Sequence, residues 1–186
     1  MTYGNLPPDG YPASSKWLHW LVAVAVLTAI AIGLYLPYTQ PGPLQDGLFN
    51  AHKAFGALIL ILMIVRIVNR FAVGAPAPEP GIAPWQKAAS SAVHGLLYVL
   101  LVVQPVIGYT ANSAFGASVP FFGLFEIPPI VEKNEALAER LFAIHRVLGF
   151  VIAGVAAVHI GAALQHAVIF RDGVLQRMLP RALGGR

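Results

Sequence analysis

Followed along the chain, apolar positions gather into four long stretches separated by short segments rich in proline, glycine and charge. Crossing about 30 Å of hydrocarbon takes roughly 20 apolar helical residues. The stretches at 17–36, 50–68, 92–109 and 141–170 have about that length or more. The first is nearly uncharged, and the second carries only Lys53 and Arg66 near its ends. Between them, 37–47, 75–84 and 112–139 hold the proline and glycine clusters that cannot continue a helix. The pattern predicts an all-α fold, an integral membrane four-helix bundle. It divides the chain into a polar N-terminal arm over 1–15, a four-helix transmembrane domain over 16–170 and a basic tail over 171–186. The arm lacks the basic start and apolar centre of a cleaved signal peptide, so the first helix is expected to stay in the mature protein.

Two details qualify the helices. Pro105 interrupts the backbone ladder of the third and predicts a kink near its far end. On the fourth, Gly154, Ala157, Gly161 and Ala162 are small enough to let another helix or a flat ligand come close.

Composition agrees with a chain whose solvent is lipid: 57% of its 186 residues are hydrophobic, 11% are charged, and the mean hydropathy is +0.69. With no cysteine, the chain forms no disulfide, thiolate metal site, cysteine-held iron–sulfur cluster or covalent c-type haem attachment. The formal charge of +4 does not point to nucleic acid, because the basic residues are scattered at the ends of apolar runs. They read instead as an orientation signal. Arg66, Arg70 and Lys87 flank the second connector, and Arg171, Arg177, Arg181 and Arg186 follow the last helix. No basic residue lies between Tyr38 and Lys53. The excess of positive charge on the cytoplasmic side then predicts that both termini are cytoplasmic. The third connector, with Glu126, Glu132, Glu135 and Glu139 beside Lys133 and Arg140, belongs on the periplasmic side.

All six histidines, His19, His52, His94, His145, His159 and His166, fall within or at the edges of the apolar stretches. An ionisable group in lipid is costly and asks for a partner. Depth decides which can share one. His145 and His159 lie fourteen residues apart, close to four helical turns, so they project from nearly one face about 21 Å apart. His145 is then level with His52, and His159 level with His19. Two bis-histidine sites stack across the membrane, each suited to a b-type haem, whose iron with both axial positions filled serves electron transfer. Zinc would want more ligands, and no helix supplies the carboxylates or thiols. His94, at the level of His159, competes with His19 as its partner. His166, two turns beyond His159, stands at the cytoplasmic edge, where contact with a haem propionate, with quinone or with the interface alone are alternatives.

The runs SKWLHW, NAHKAFG, VHGLLYVLLVVQPVIGY, AIHRVLGFVIAGVAAVHIGAALQH and RDGVLQRMLPR together resemble the prokaryotic cytochrome b561 family, including its superoxide oxidase branch. The resemblance covers nearly the whole chain after residue 14. It implies a dihaem membrane cytochrome of the bacterial inner membrane that exchanges electrons with ubiquinone. It also implies that His19 and His159 bind one haem and His52 and His145 the other, with His94 and His166 secondary. The chain differs from some relatives in a longer Pro/Gly-rich arm and an extended third connector.

Two functional readings follow. In the first, the chain is a quinone-linked oxidoreductase taking electrons from a small periplasmic anion such as superoxide. Lys53 adjoins His52 and Arg146 adjoins His145, a pair of cations able to steer that anion. Trp17, Arg66, Arg70 and His166 are then candidates for a cytoplasmic quinone pocket, although Trp17 also suits an interfacial belt and the arginines suit orientation or propionate pairing. In the second, the chain is an electron-transfer subunit serving a dehydrogenase or other redox protein, docked through the third connector.

Overall fold

The computed structural model describes residues 10–79 and 81–184. Residues 1–9 of the expected arm, and Arg186 of the expected tail, lie outside the described residues. Four helices dominate: α1 (Ala13–Tyr35), α2 (Pro43–Val73), α3 (Pro84–Phe115) and α4 (Glu135–Gln165). Each is long and apolar enough to cross a membrane.

They run well past the apolar stretches because their ends carry their own signals. Pro43 and Pro84 stand in the first turns of α2 and α3, where a missing N–H costs nothing. The Gln86 side chain accepts the Ala83 N–H (3.0 Å) just ahead of α3, and Asn134 accepts the Leu137 N–H (3.0 Å) to open α4. Gly116, in the left-handed conformation, closes α3. At 32 residues α3 is about 48 Å long, so its ends stand clear of the hydrocarbon. It remains one continuous helix through Pro105.

Unlike a water-soluble bundle, this one is apolar on its outside as well as in its core. Large apolar side chains such as Val24, Ile64, Val99 and Val147 point outward and exposed. Val22, Ala25, Val26, Ile59, Met63, Leu100 and Ile152, drawn from all four helices, form one buried cluster. This cluster sits at mid-depth, with a histidine six or seven residues to either side on α4 and on one side of α2 and α3. Helix α1 packs chiefly on α2, and α4 on α3. Two of the small residues of α4 do not serve close helix contact: among the described residues, a Cβ added at Gly154 or Gly161 would meet nothing within 4 Å. Gly154 lines a shallow apolar groove between α3 and α4.

One element corrects the all-α expectation. In the third connector β1 (Val119–Phe121) and β2 (Phe125–Ile127) form an antiparallel hairpin with Val119 opposite Ile127 and Phe121 opposite Phe125. Its turn needs positive φ at Phe122 (50°) and Gly123 (74°), the hand that lets a tight turn match strand twist. Aromatic residues flanking Gly123 were the sequence signal for it.

At the opposite end the chain beyond α4 folds back over the bundle. A π-helical turn (His166–Phe170) ends α4, and Arg171 then takes a left-handed conformation. The Trp20 indole donates to the Met178 carbonyl (3.0 Å). Arg177 pairs with Glu79 (3.4 Å) and donates to the Ala77 carbonyl (2.7 Å), tying the tail to the connector between α2 and α3.

Candidate functional site

The histidines gather in two layers. In the outer one, next to the third connector, His52 of α2 and His145 of α4 bring their ring centroids to 6.0 Å, nearly perpendicular at 83°. In the inner one His19 of α1 lies 6.1 Å from His159 of α4, at 74°. Two imidazoles on opposite sides of one metal ion, each about 2 Å from it, place their centroids about 6 Å apart. Both pairs meet that requirement. His94 of α3 stands nearer to His159, at 5.1 Å, which is shorter than two ligands of one ion need.

The outer pair has a second property of metal-binding imidazoles. The Nδ1 of His52 lies 3.1 Å from the Ala29 carbonyl of α1, and that of His145 lies 3.2 Å from the Gln104 carbonyl of α3. A carbonyl only accepts, so each Nδ1 carries the proton and each Nε2 keeps its lone pair for a metal. Glycine makes both bonds possible in the same way. Within a helix the carbonyl of residue i already meets the N–H of i+4, and any side chain at i+4 would crowd a third party. Here i+4 is Gly33 in one case and Gly108 in the other. A Cβ on Gly33 would stand 3.1 Å from the His52 ring, and one on Gly108 only 2.7 Å from that of His145. The Gln104 side chain adds a bond of 2.8 Å to the His145 carbonyl. The site residues missed from sequence are therefore Ala29, Gly33, Gln104 and Gly108. The available signal was glycine inside an apolar helix, where it costs about 1 kcal/mol relative to alanine and asks for a reason.

At the inner layer no main-chain carbonyl of a neighbouring helix meets a histidine ring among the described residues, and His94 is held locally by Ser90 one turn back on its own helix. Ser90 lies 3.2 Å from Nδ1 of His94. Arg66 is within electrostatic reach of His19, His94 and His159. Its Nε donates to the Tyr98 hydroxyl (3.1 Å), its guanidinium carbon stands 5.5 Å from that ring, and its Nη1 is buried with no hydrogen-bond partner among the described residues. Arg66, Arg70, Tyr98, Asn69, Ser15, Tyr11 and Met178 line a small cavity beside this layer. A buried guanidinium edge without a partner fits a carboxylate or carbonyl ligand.

Other candidates are placed differently. His166 is paired with Asp172 and packs edge-on against Phe170, apart from the inner three. Trp17 is 59% exposed, as an interfacial residue would be. Arg70 donates to the Gly74 carbonyl at the end of its own helix (3.3 Å). Lys53 reaches the Ser118 carbonyl (3.4 Å) in the third connector, near Glu126. Arg146 is exposed and makes no hydrogen bond or ion pair among the described residues. The structure thus does not bring Lys53 and Arg146 into contact with each other.

Comparison with known proteins points the same way. A family model described as prokaryotic cytochrome b561 matches residues 10–181. The chain is 30% identical to Cytochrome b561 homolog 2 of Escherichia coli (strain K12) over 98% of its own length and 97% of that protein's. It is 30% identical to the Probable superoxide oxidase CybB of Yersinia pestis over 90% of the chain and 94% of the relative. The chain belongs to the prokaryotic cytochrome b561 family, multi-pass electron-transfer proteins of the bacterial inner membrane that bind haem b.

Proposed function

We propose that the chain binds two b-type haems, one between His52 and His145 on the periplasmic side and one between His19 and His159 on the cytoplasmic side. We further propose that it moves electrons from superoxide to ubiquinone. The observation that carries this reading is the recurrence of one spacing, 6.0 and 6.1 Å, in two histidine pairs fourteen residues apart on α4. Haem held by two imidazoles takes up and gives back single electrons without binding oxygen. In the balanced reaction two superoxide anions are oxidised to dioxygen, and ubiquinone takes the two electrons with two protons to become ubiquinol. The name of the Yersinia pestis relative supports superoxide as the donor.

The protein's own part is to hold ligands, place charge and exclude water. Nδ1–H bonds to Ala29 and Gln104 keep the outer imidazoles turned toward each other. Lys53 and Arg146 raise the local concentration of a small anion at the outer face. Arg66 offers its unpaired edge to a propionate or a quinone carbonyl, and His94 serves the inner site as a neighbour of His159 rather than as an iron ligand. Arg70, Trp17 and His166 form the outlying part of the same region. Both termini lie in the cytoplasm in this reading, with arm, bundle and tail as the three parts of the chain.

Purified protein in detergent tests it directly. Two b-type haems per chain, reduced by superoxide and reoxidised by ubiquinone, are the expected result. Haems indifferent to superoxide but reduced in the presence of a co-purifying redox protein would favour the partner-serving subunit, and a colourless protein would overturn the reading.

A further inference from the structure

The third connector is short of polar cover. Leu124 is 78% exposed, Ile130 61%, Phe125 56% and Phe122 46%, all between the end of α3 and the start of α4. In a segment lying in water this would be an unusual apolar surface for so small an element.

The register of the connector against the helices gives its depth. From Gly116 the chain does not rise away from the bundle; it turns back along it. The Ser118 carbonyl meets Lys53, next to the histidine of the outer layer. Phe122 packs edge-on against Phe55, 5.3 Å between centroids and one turn deeper along α2 than His52. On the other flank the Tyr109 hydroxyl donates to the Pro128 carbonyl (2.5 Å), six residues before the end of α3. Six residues are about 9 Å of helix. Tyr109 is also where the apolar stretch of α3 gives way to polar residues, which is the bilayer boundary on this side. Both anchors therefore sit at or below that boundary, and the exposed side chains between them continue the apolar outer surface of α2 and α3.

We infer that the hairpin and the following Ile-Pro-Pro-Ile segment are immersed in the outer leaflet, with Leu124, Phe125 and Ile130 as lipid contacts at the level of the outer histidine pair. A monotopic hairpin of this kind gains by burying apolar area at the boundary between headgroups and acyl chains, where aromatic residues are favoured. Glu126 is the one charge within the hairpin and has partners there, accepting from the Ser118 hydroxyl with Lys53 near by, while Glu132 stays at the polar edge. The occupant of this surface is lipid, so it is not a platform for a soluble redox partner. Any donor must then approach the outer pair from another side.

Because the chain has no native cysteine, single cysteines can be labelled without altering anything else. The full-length, haem-loaded protein in nanodiscs would carry a fluorophore at Leu124→Cys, Ile130→Cys or, as a water-exposed reference, Glu132→Cys. Each would be read with aqueous iodide and with lipids brominated near the top of the acyl chain. At 124 and 130 the brominated lipid should lower emission by about twofold and iodide should barely act, while at 132 the order should invert. Unchanged reduced spectra would certify the fold. Iodide quenching at 124 equal to that at 132 would overturn the inference, since the surface would then face water. Protection of 124 from both quenchers would overturn it in favour of a protein contact or a second copy.

Discussion

The outer and inner histidine layers do the same geometric job with different materials. His52 and His145 are each fixed by a main-chain carbonyl of the neighbouring helix, reached over a glycine one turn along. No hydrogen bond to a ring nitrogen of His19 or His159 appears among the described residues, and their surroundings are a third imidazole, an arginine and a tyrosine. A main-chain cradle cannot be removed by changing the side chain that offers the carbonyl, and it holds one tautomer rigidly. A side-chain environment is softer and richer in charge. Under the proposed function, the rigid site is the one that would only have to pass an electron inward. Under the same proposal, the soft site is where an acceptor that also takes up protons would have to be accommodated.

The largest expected effect separates the layers altogether. His52→Ala or His145→Ala should leave one haem per chain, the inner one, and His159→Ala should leave only the outer, as measured by haem extraction and reduced spectra. Two haems retained in either outer variant would break the pairing. Within the inner layer the contrast is between His19 and His94. His19→Ala should lose the inner haem, whereas His94→Ala should keep it and shift its midpoint potential by about 30–60 mV, roughly a tenfold change in a one-electron equilibrium at the upper end. The reverse outcome would make His94 the ligand despite its 5.1 Å approach to His159.

Much of this was legible in the sequence for a simple reason. Lipid demands continuous apolar helices of fixed length, so four spans can be read directly, and their rise per residue converts histidine positions into depths. That arithmetic sets His52 level with His145 and puts His19 and His94 both level with His159, and only the family resemblance chose His19 between them. What escaped was everything set by lateral contact. That Ala29 and Gln104 face the outer histidines depends on how α1 and α3 rotate about their axes, which no spacing within one helix fixes. The hairpin at 119–127 was hidden because a short run of aromatics and prolines looks like a turn-rich connector. Arg177 reaching Glu79 and Ala77 joins segments about a hundred residues apart, beyond any local pattern.

A smaller effect should distinguish the two glycines. Alanine at 108 would place its Cβ 2.7 Å from His145, too close without movement of the ring, while at 33 the 3.1 Å gap to His52 requires only a slight shift. Overpacking of this kind costs about 1–3 kcal/mol. Gly108→Ala should therefore lower outer-haem occupancy or turn part of it high-spin in the oxidised spectrum. Gly33→Ala should do so less, and neither should touch the inner haem. An equal effect on both haems would mean that the substitution disturbs the bundle as a whole and says nothing about the cradle.

The smallest predicted effect tests the cradle most selectively. Gln104 makes two bonds with His145: its side chain donates to the histidine carbonyl (2.8 Å), and its own carbonyl accepts from the ring Nδ1–H (3.2 Å). Gln104→Leu removes the first and leaves the second. The loss of one neutral hydrogen bond is worth about 1 kcal/mol, and it is partly offset because the amide oxygen of Gln104 is itself buried with no partner among the described residues. Thermal stability should fall by a few degrees at most, about 2–4 °C for a chain of this size, while the outer haem keeps its content, spin state and potential. If the outer haem is lost instead, the orientation of His145 depends on the glutamine side chain. The distinction between a main-chain site and a side-chain site would then fail at the one residue that contributes both.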